Sequence, residues 1–185
     1  MDNNTTTRPR LTVLGTGYLG ATHAICMAVL GYDVLGVDTD QRKIDALTNG
    51  EVPFFEPGLP EMLQKALDSG RLRFTTDLAE AGEFGDVHFV CVGTPQQPGS
   101  HAADLSYVEG VTRDLAPYLR RRCLVVGKST VPVGTAARLT QLLQDNAPAG
   151  TDVELAWNPE FLREGYAVED TLRPDRLVFG VASDW

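Results

Sequence analysis

The feature that most constrains this chain is a Gly15-x-Gly17-x-x-Gly20 run set between segments of different periodicity. Before it, Arg10 to Leu14 is β-branched and apolar and predicts a strand. After it, Tyr18 to Leu30 carries apolar residues at helical spacing and closes at Gly31, which predicts a helix. Tyr32 to Val37 predicts a second strand, ending in Asp38. Together they match a parallel strand–helix–strand unit of about 30 residues. With 18 glycines in 185 residues the spacing alone is weak, and its setting gives it weight.

Each part has a physical role. Gly15 permits the tight turn out of the strand, Gly17 lets a pyrophosphate approach the backbone, and Gly20 lets the helix pack closely. The first amides of the helix, at Tyr18 and Leu19, offer N–H groups and a partial positive charge to a diphosphate. Asp38 can accept hydrogen bonds from an adenosine ribose and would repel a 2′-phosphate, which favours NAD over NADP. Arg42 and Lys43 complicate that preference, because a nearby cation can accept a 2′-phosphate; Lys43 is counted with the cofactor residues. The bland alternative is a turn whose glycines serve only the chain, with Asp38 as a helix cap.

The alternation continues along the chain. Arg42 to Leu47 predicts a helix closing near Gly50, Glu51 to Leu59 a Pro-rich aromatic loop, and Pro60 to Ser69 an amphipathic helix. Leu72 to Thr75 and the nearly all-apolar Asp86 to Val92 predict strands, the latter buried on both faces. Gly93 to Ala103 reads as a loop, and Leu105 to Leu119 as a helix capped by Asp104. Cys123 to Val126, Asp152 to Ala156 and Leu177 to Val181 predict further strands, with a helix over Val133 to Asp145. Strands alternating with helices imply an α/β fold: a doubly wound parallel sheet of the Rossmann, NAD-binding kind. The expected organisation is a disordered tail over residues 1–9 and a single domain over 10–185, cut from a longer protein.

A net charge of −9 argues against nucleic acid and anionic membranes as partners. No stretch approaches the roughly 20 apolar residues of a membrane span, and Met1 to Pro9 lacks the apolar core of a signal peptide. The cysteines, Cys26, Cys91 and Cys123, are odd in number and each sits in an apolar run. That fits reduced, buried thiols in a cytoplasmic protein. No residue is assigned to a metal.

Four further segments are more specific. They are Val52-Pro53-Phe54-Phe55-Glu56-Pro57-Gly58-Leu59, Val92-Gly93-Thr94-Pro95, Lys128-Ser129-Thr130-Val131-Pro132-Val133-Gly134-Thr135, and Asn158-Pro159-Glu160-Phe161-Leu162-Arg163-Glu164-Gly165 running on to Arg173-Pro174-Asp175-Arg176. Three of them follow predicted strands, so their loops should converge with the glycine turn at the carboxyl edge of the sheet. Thr94 offers a hydroxyl and an amide to a cofactor, or makes an ordinary turn before Pro95. Lys128 can bind a phosphate or pair with a core carboxylate. Thr130 can hold a water or cap the next helix. If Glu160 opens a helix, Glu160 and Glu164 share one face, either as a dipole-matched first turn or as working carboxylates.

In this order, behind the glycine turn, the segments resemble the UDP-glucose/GDP-mannose dehydrogenase family from about Leu11 to Val181, with wording nearest its UDP-glucose branch. The resemblance implies a nucleotide-sugar substrate, UDP-glucose, oxidised at C6 in two steps with two NAD, through a cysteine thiohemiacetal and thioester that is hydrolysed to UDP-glucuronate. It implies that Thr130 and Glu160 hold a catalytic water, with Thr130 also at the cofactor. Glu164 would position substrate or cofactor, and Phe161, Leu162 and Arg163 would begin the sugar-nucleotide site with Glu160 and Glu164. It further implies a homodimer formed by segments outside this chain. The family's nucleophilic thiol is not matched here: none of the cysteines has the electropositive, partly exposed setting an activated thiol needs. The chain is therefore expected to bind NAD without making product. A dehydrogenase for GDP-mannose or UDP-N-acetylmannosamine, and a stand-alone NAD-binding module, remain open.

Overall fold

The structure, a computed structural model, describes residues 8–183. Six strands form one parallel sheet: β1 (Leu11–Leu14), β2 (Val34–Val37), β3 (Leu72–Thr75), β4 (Val87–Val90), β5 (Cys123–Gly127) and β6 (Val153–Trp157), in the order β3-β2-β1-β4-β5-β6. The chain leaves β1 towards β2 and β3 on one side, then returns past β1 to β4 on the other. The two halves therefore diverge between β1 and β4, where an open α/β sheet leaves its crevice.

Seven helices cover the sheet: α1 (Tyr18–Val29), α2 (Gln41–Thr48), α3 (Leu59–Asp68), α4 (Leu78–Phe84), α5 (Ser106–Leu115), α6 (Thr135–Asn146) and α7 (Ala167–Leu172) among the described residues. Strand alternation sends side chains to two separate cores. Leu11 and Val13 of β1 pack with Ala24 and Ile25 of α1 and Leu63 of α3. Leu14 of β1 packs on the other face with Val108 and Leu115 of α5 and Leu139 and Leu143 of α6. Both faces of β1 and β2 are fully buried, as their largely apolar runs require; the one polar side chain, Thr12, shares a 2.7 Å hydrogen bond with His88 Nδ1.

Several expectations change. Helix α4 was not foreseen; Asp77 starts it by accepting from the Ala79 amide at 2.8 Å. Helix α5 stops at Leu115 because Pro117 has no amide to donate, and a short 3₁₀ turn follows over Ala116–Tyr118. Asp104 does accept from the Ser106 amide at its start. No strand forms over Leu177 to Val181: only Gly180 bridges to Trp157, antiparallel, and Leu177 and Val181 stay exposed. Of the expected tail, residues 1–7 lie outside the described part. Arg8 donates to the Leu30 carbonyl and lies over the Tyr32 ring.

Candidate functional site

The turn after β1 is shaped by what its glycines exclude. Gly15 has φ +93°, and its amide bonds the Val37 carbonyl at 2.7 Å, tying the turn to β2. A Cβ on Gly20 would lie 1.8 Å from the Gly15 carbonyl oxygen, so α1 approaches the turn as only glycine allows. A Cβ on Gly17 would meet nothing within 4 Å: that residue faces open space. Gly17 is also the N-cap of α1, with no side-chain cap and no acidic residue in the first turn. The helix start thus presents uncapped amides and the positive end of its dipole to a cavity of about 660 Å³.

Asp38 lines the same cavity at the end of β2. Its Oδ2 accepts from the Thr16 amide at 2.8 Å, the Thr16 hydroxyl at 3.1 Å and the Lys43 ammonium at 3.3 Å, while Oδ1 accepts from the Asp40 amide at 3.0 Å. Burial pushes the carboxyl up, but the Asp40 and Thr16 amides and Lys43 outweigh it and hold it below its ordinary value. Oδ1 keeps capacity for a further donor, since an ionised carboxylate has about four acceptor sites. Both nearby cations already have carboxylate partners: Lys43 is on Asp38 and Arg42 is forked on Asp40 at 3.1 and 3.0 Å. Sequence reading missed the far wall of this cavity, where Thr76, Leu78, Tyr107, Gly110 and Asp114 stand. The missing signal was Asp77 with Glu80 three residues on, a helix-start pattern.

A second cavity of about 320 Å³ adjoins the first, sharing Gly17, Cys91, Val92 and Gly93 as lining. Tyr18, Leu19, Thr94, Ser129, Thr130 and Glu160 complete it. The loops after β4, β5 and β6 therefore do meet the glycine turn. Short bonds fix them to one another. Thr94 Oγ1 donates to the Thr130 carbonyl at 2.9 Å, Ser129 Oγ to the Val92 carbonyl at 2.5 Å, and Trp157 Nε1 to the Ser129 carbonyl at 2.9 Å.

Other residues differ from their expected settings. Lys128 is buried and pairs with no carboxylate among the described residues; its Nζ donates to Asn158 Oδ1 at 2.8 Å, and Asn158 Nδ2 to the Val178 carbonyl at 2.9 Å. Burial pushes this lysine down from its ordinary value, with Cys91 and Glu160 opposing. Thr130 caps no helix, because α6 starts later, at Thr135, behind a left-handed Gly134. Glu160 does not open a helix: its Oε2 takes the Leu162 amide at 2.7 Å, a local bond that competes with helical pairing, and Gly165 has φ +82°. Glu164 is exposed and lines neither cavity, so the two carboxylates share no helical face. Arg163 forks onto Asp170 at 3.0 and 2.6 Å, and Phe161 sits under Arg176 at 4.6 Å. Leu162 is half-buried.

This arrangement has counterparts. The model of the UDP-glucose/GDP-mannose dehydrogenase family, NAD binding domain, matches residues 9–184. The chain belongs to this family. It is 48% identical over 172 residues to the UDP-glucose 6-dehydrogenase of Rhizobium meliloti, covering 93% of this chain and 39% of that protein. It is 43% identical to the GDP-mannose 6-dehydrogenase of Pseudomonas savastanoi pv. phaseolicola, covering 92% of this chain and 40% of that protein. Among solved structures, a UDP-glucose dehydrogenase from Pyrobaculum islandicum superposes with a TM-score of 0.92 at 40% identity, over 100% of this chain and 43% of that one. The chain thus spans about two fifths of the length of these relatives.

The cofactor of this family domain is NAD. The residues present fit it: an uncapped helix start beside the open Gly17, and a half-buried carboxylate at the end of β2 with acceptor capacity left. The cysteines of the domain do not fit a nucleophile. All are buried, and burial pushes Cys26 and Cys91 up to about 12 and Cys123 up to about 11. No helix among the described residues is long and apolar enough to cross a membrane.

Proposed function

We propose that this chain forms the cofactor-binding part of a UDP-glucose 6-dehydrogenase, in which UDP-glucose, two NAD and water become UDP-glucuronate and two NADH. The observation that carries the reading is the meeting of Glu160, Thr130 and Thr94 with the Gly17 turn around one small cavity beside the larger cleft. When bound, NAD supplies the hydride acceptor. The amides of Tyr18 and Leu19 hold its diphosphate, and Asp38 holds its adenosine ribose and disfavours a 2′-phosphate. Thr94 fixes the Thr130 backbone beside that site. Thr130 and Glu160 hold a water, and Glu160 takes its proton in a hydrolytic step. Phe161, Leu162 and Arg163 begin the sugar-nucleotide wall, and Glu164 approaches it from the exposed side of the same loop.

With no thiol here in an activating setting, the covalent step belongs to residues beyond this chain, and the chain alone binds NAD without forming product. The reading places the protein in the cytoplasm, as a homodimer through segments outside this chain. GDP-mannose is the second substrate reading, supported by the 43% identity to a GDP-mannose 6-dehydrogenase. The test is to assay a protein of the relatives' full length for NADH formation on UDP-glucose, GDP-mannose and UDP-N-acetylmannosamine. Two NADH per UDP-glucose, with slower turnover of the others, supports the reading; preference for another sugar overturns the substrate, and no NADH with any overturns the enzyme.

A further inference from the structure

One motif of the sequence plays no part in the site so far. Glu56 is the single charge in Pro53-Phe54-Phe55-Glu56-Pro57, and it is 3% exposed while its neighbour Phe55 is 84% exposed. The chain turns this carboxylate inward, where an unpaired charge is costly. Its partners come from two distant segments. Oε2 accepts from the Tyr18 hydroxyl at 2.5 Å and from the Gly165 amide at 2.9 Å, and Oε1 accepts from the Val168 amide at 3.3 Å. The Gly165 amide also reaches the Tyr18 hydroxyl at 3.2 Å. Tyr18 is the first residue of α1, next to Gly17, and its ring packs edge-on against Phe54 at 5.0 Å. Gly165 ends the loop that carries Glu160 and Glu164; Val168 lies in the first turn of α7.

We propose that Glu56 is a positioning residue that clamps the Glu160–Gly165 loop to the start of the cofactor helix. The proposal rests on the reading of that loop as the sugar-nucleotide wall. The loop's other ties are within itself or to α7 and the segment after it: Glu160 takes the Leu162 amide, Arg163 forks onto Asp170 and Arg176 lies over Phe161, while Phe161, Arg163 and Glu164 are exposed and Gly165 takes a left-handed turn just before α7. An ionised carboxylate can receive the Tyr18, Gly165 and Val168 donors together, whereas an amide must turn a donor of its own towards at least one of them. Tyr18 is suited to its part, since burial, and then Glu56, push its hydroxyl up to about 12 and keep it a donor. Because the clamp joins the loop to the residue beside Gly17, ordering of that turn by cofactor is transmitted to the loop.

The experiment is amide hydrogen exchange on the 185-residue chain, wild type, Glu56→Gln and Tyr18→Phe, each without and with saturating NAD. In the wild type, NAD slows exchange at residues 15–20 and also over 160–168. In Glu56→Gln, residues 160–168 exchange at least tenfold faster without cofactor, strands β1 and β4 are unchanged, and NAD protects 15–20 but no longer 160–168. Tyr18→Phe keeps the Glu56–Gly165 bond and gives a partial form of the same loss. Equal exchange over 160–168 in wild type and Glu56→Gln, or loop protection by NAD that survives the substitution, overturns the proposal. Faster exchange spread evenly over the whole chain also overturns it, as the mark of a residue that only stabilises the fold. If NAD protects no segment of the wild type, the cofactor reading itself fails, and the coupling with it.

Discussion

A Cβ placed on Gly20 would stand 1.8 Å from the carbonyl oxygen of Gly15, so the first turn of α1 and the turn that feeds it share space only glycine leaves open. Gly17, between them, would meet nothing. These neighbours therefore separate folding from binding. Gly20→Ala forces the helix off the turn, an overpacking cost of about 1–3 kcal/mol that the better helix propensity of alanine, about 1 kcal/mol, only partly offsets. Its thermal midpoint should fall and NAD binding with it. Gly17→Ala, at φ −70°, should keep a midpoint near wild type and still lose NAD affinity at least tenfold, because its methyl group enters the cleft. Thermal melts and calorimetric titration of both variants check this; unchanged NAD affinity in Gly17→Ala contradicts it.

Asp38 selects the cofactor. Asp38→Ala removes the ribose acceptor and frees Lys43 from its ion pair, so NAD binding should weaken by about 1.5–3 kcal/mol, tenfold or more, on the scale of a hydrogen bond to a charged group. NADP binding should change less or improve. Equal losses for the two cofactors would remove Asp38 as the selector.

Two buried histidines give the fold a pH dependence. Burial pushes His23 down to about 3, Lys128 adding to the effect, and His88 down to about 4, where Arg121 adds and Asp86 opposes. Both are neutral in the folded chain, while in the unfolded chain they take up protons below about 6.5. The unfolded state thus binds more protons, and stability falls as the pH drops from about 6.5 towards 4, by roughly 1 kcal/mol per pH unit for each group. Urea denaturation at pH 7 and pH 5 measures the slope, which His88→Gln should reduce. A stability independent of pH over that range contradicts the assignment.

The thiols should be inert. Cys26, Cys91 and Cys123 are buried with their ionisation pushed well above neutral, so iodoacetamide should label the folded chain at none of them within the time that unfolded chain is labelled completely. Mass spectrometry reads the result, and fast labelling of Cys91 in native buffer would reopen it as a nucleophile.

The sheet was largely legible because its strands are short, mainly apolar runs ended by glycine or polar residues; the edge strand β3, Leu72-Arg73-Phe74-Thr75, instead alternates apolar and polar residues, as a half-buried strand does. The glycine turn was legible because its tightest approach, Gly20 against the Gly15 carbonyl, spans only five residues and so shows in their spacing. Glu160 and Glu164 were misplaced relative to each other because a bond from Glu160 to the Leu162 amide takes the place of a helical turn. The segment ending at Val181 has the composition of a strand but meets β6 only at Gly180. Glu56 escaped notice as a working residue because its partners lie 38 and 109 positions away, a pairing no local pattern encodes.

The central claim is that the glycine turn and Asp38 together bind NAD, and the thermal midpoint of the chain as a function of cofactor concentration tests it most directly. A ligand that binds only the folded state adds about 2.7 kcal/mol at a hundredfold excess over its Kd, roughly 5–10 °C for a domain of this size. The midpoint should climb with the logarithm of NAD concentration and climb far less with NADP. A midpoint that stays flat as NAD rises, or that rises equally with NADP, contradicts the claim.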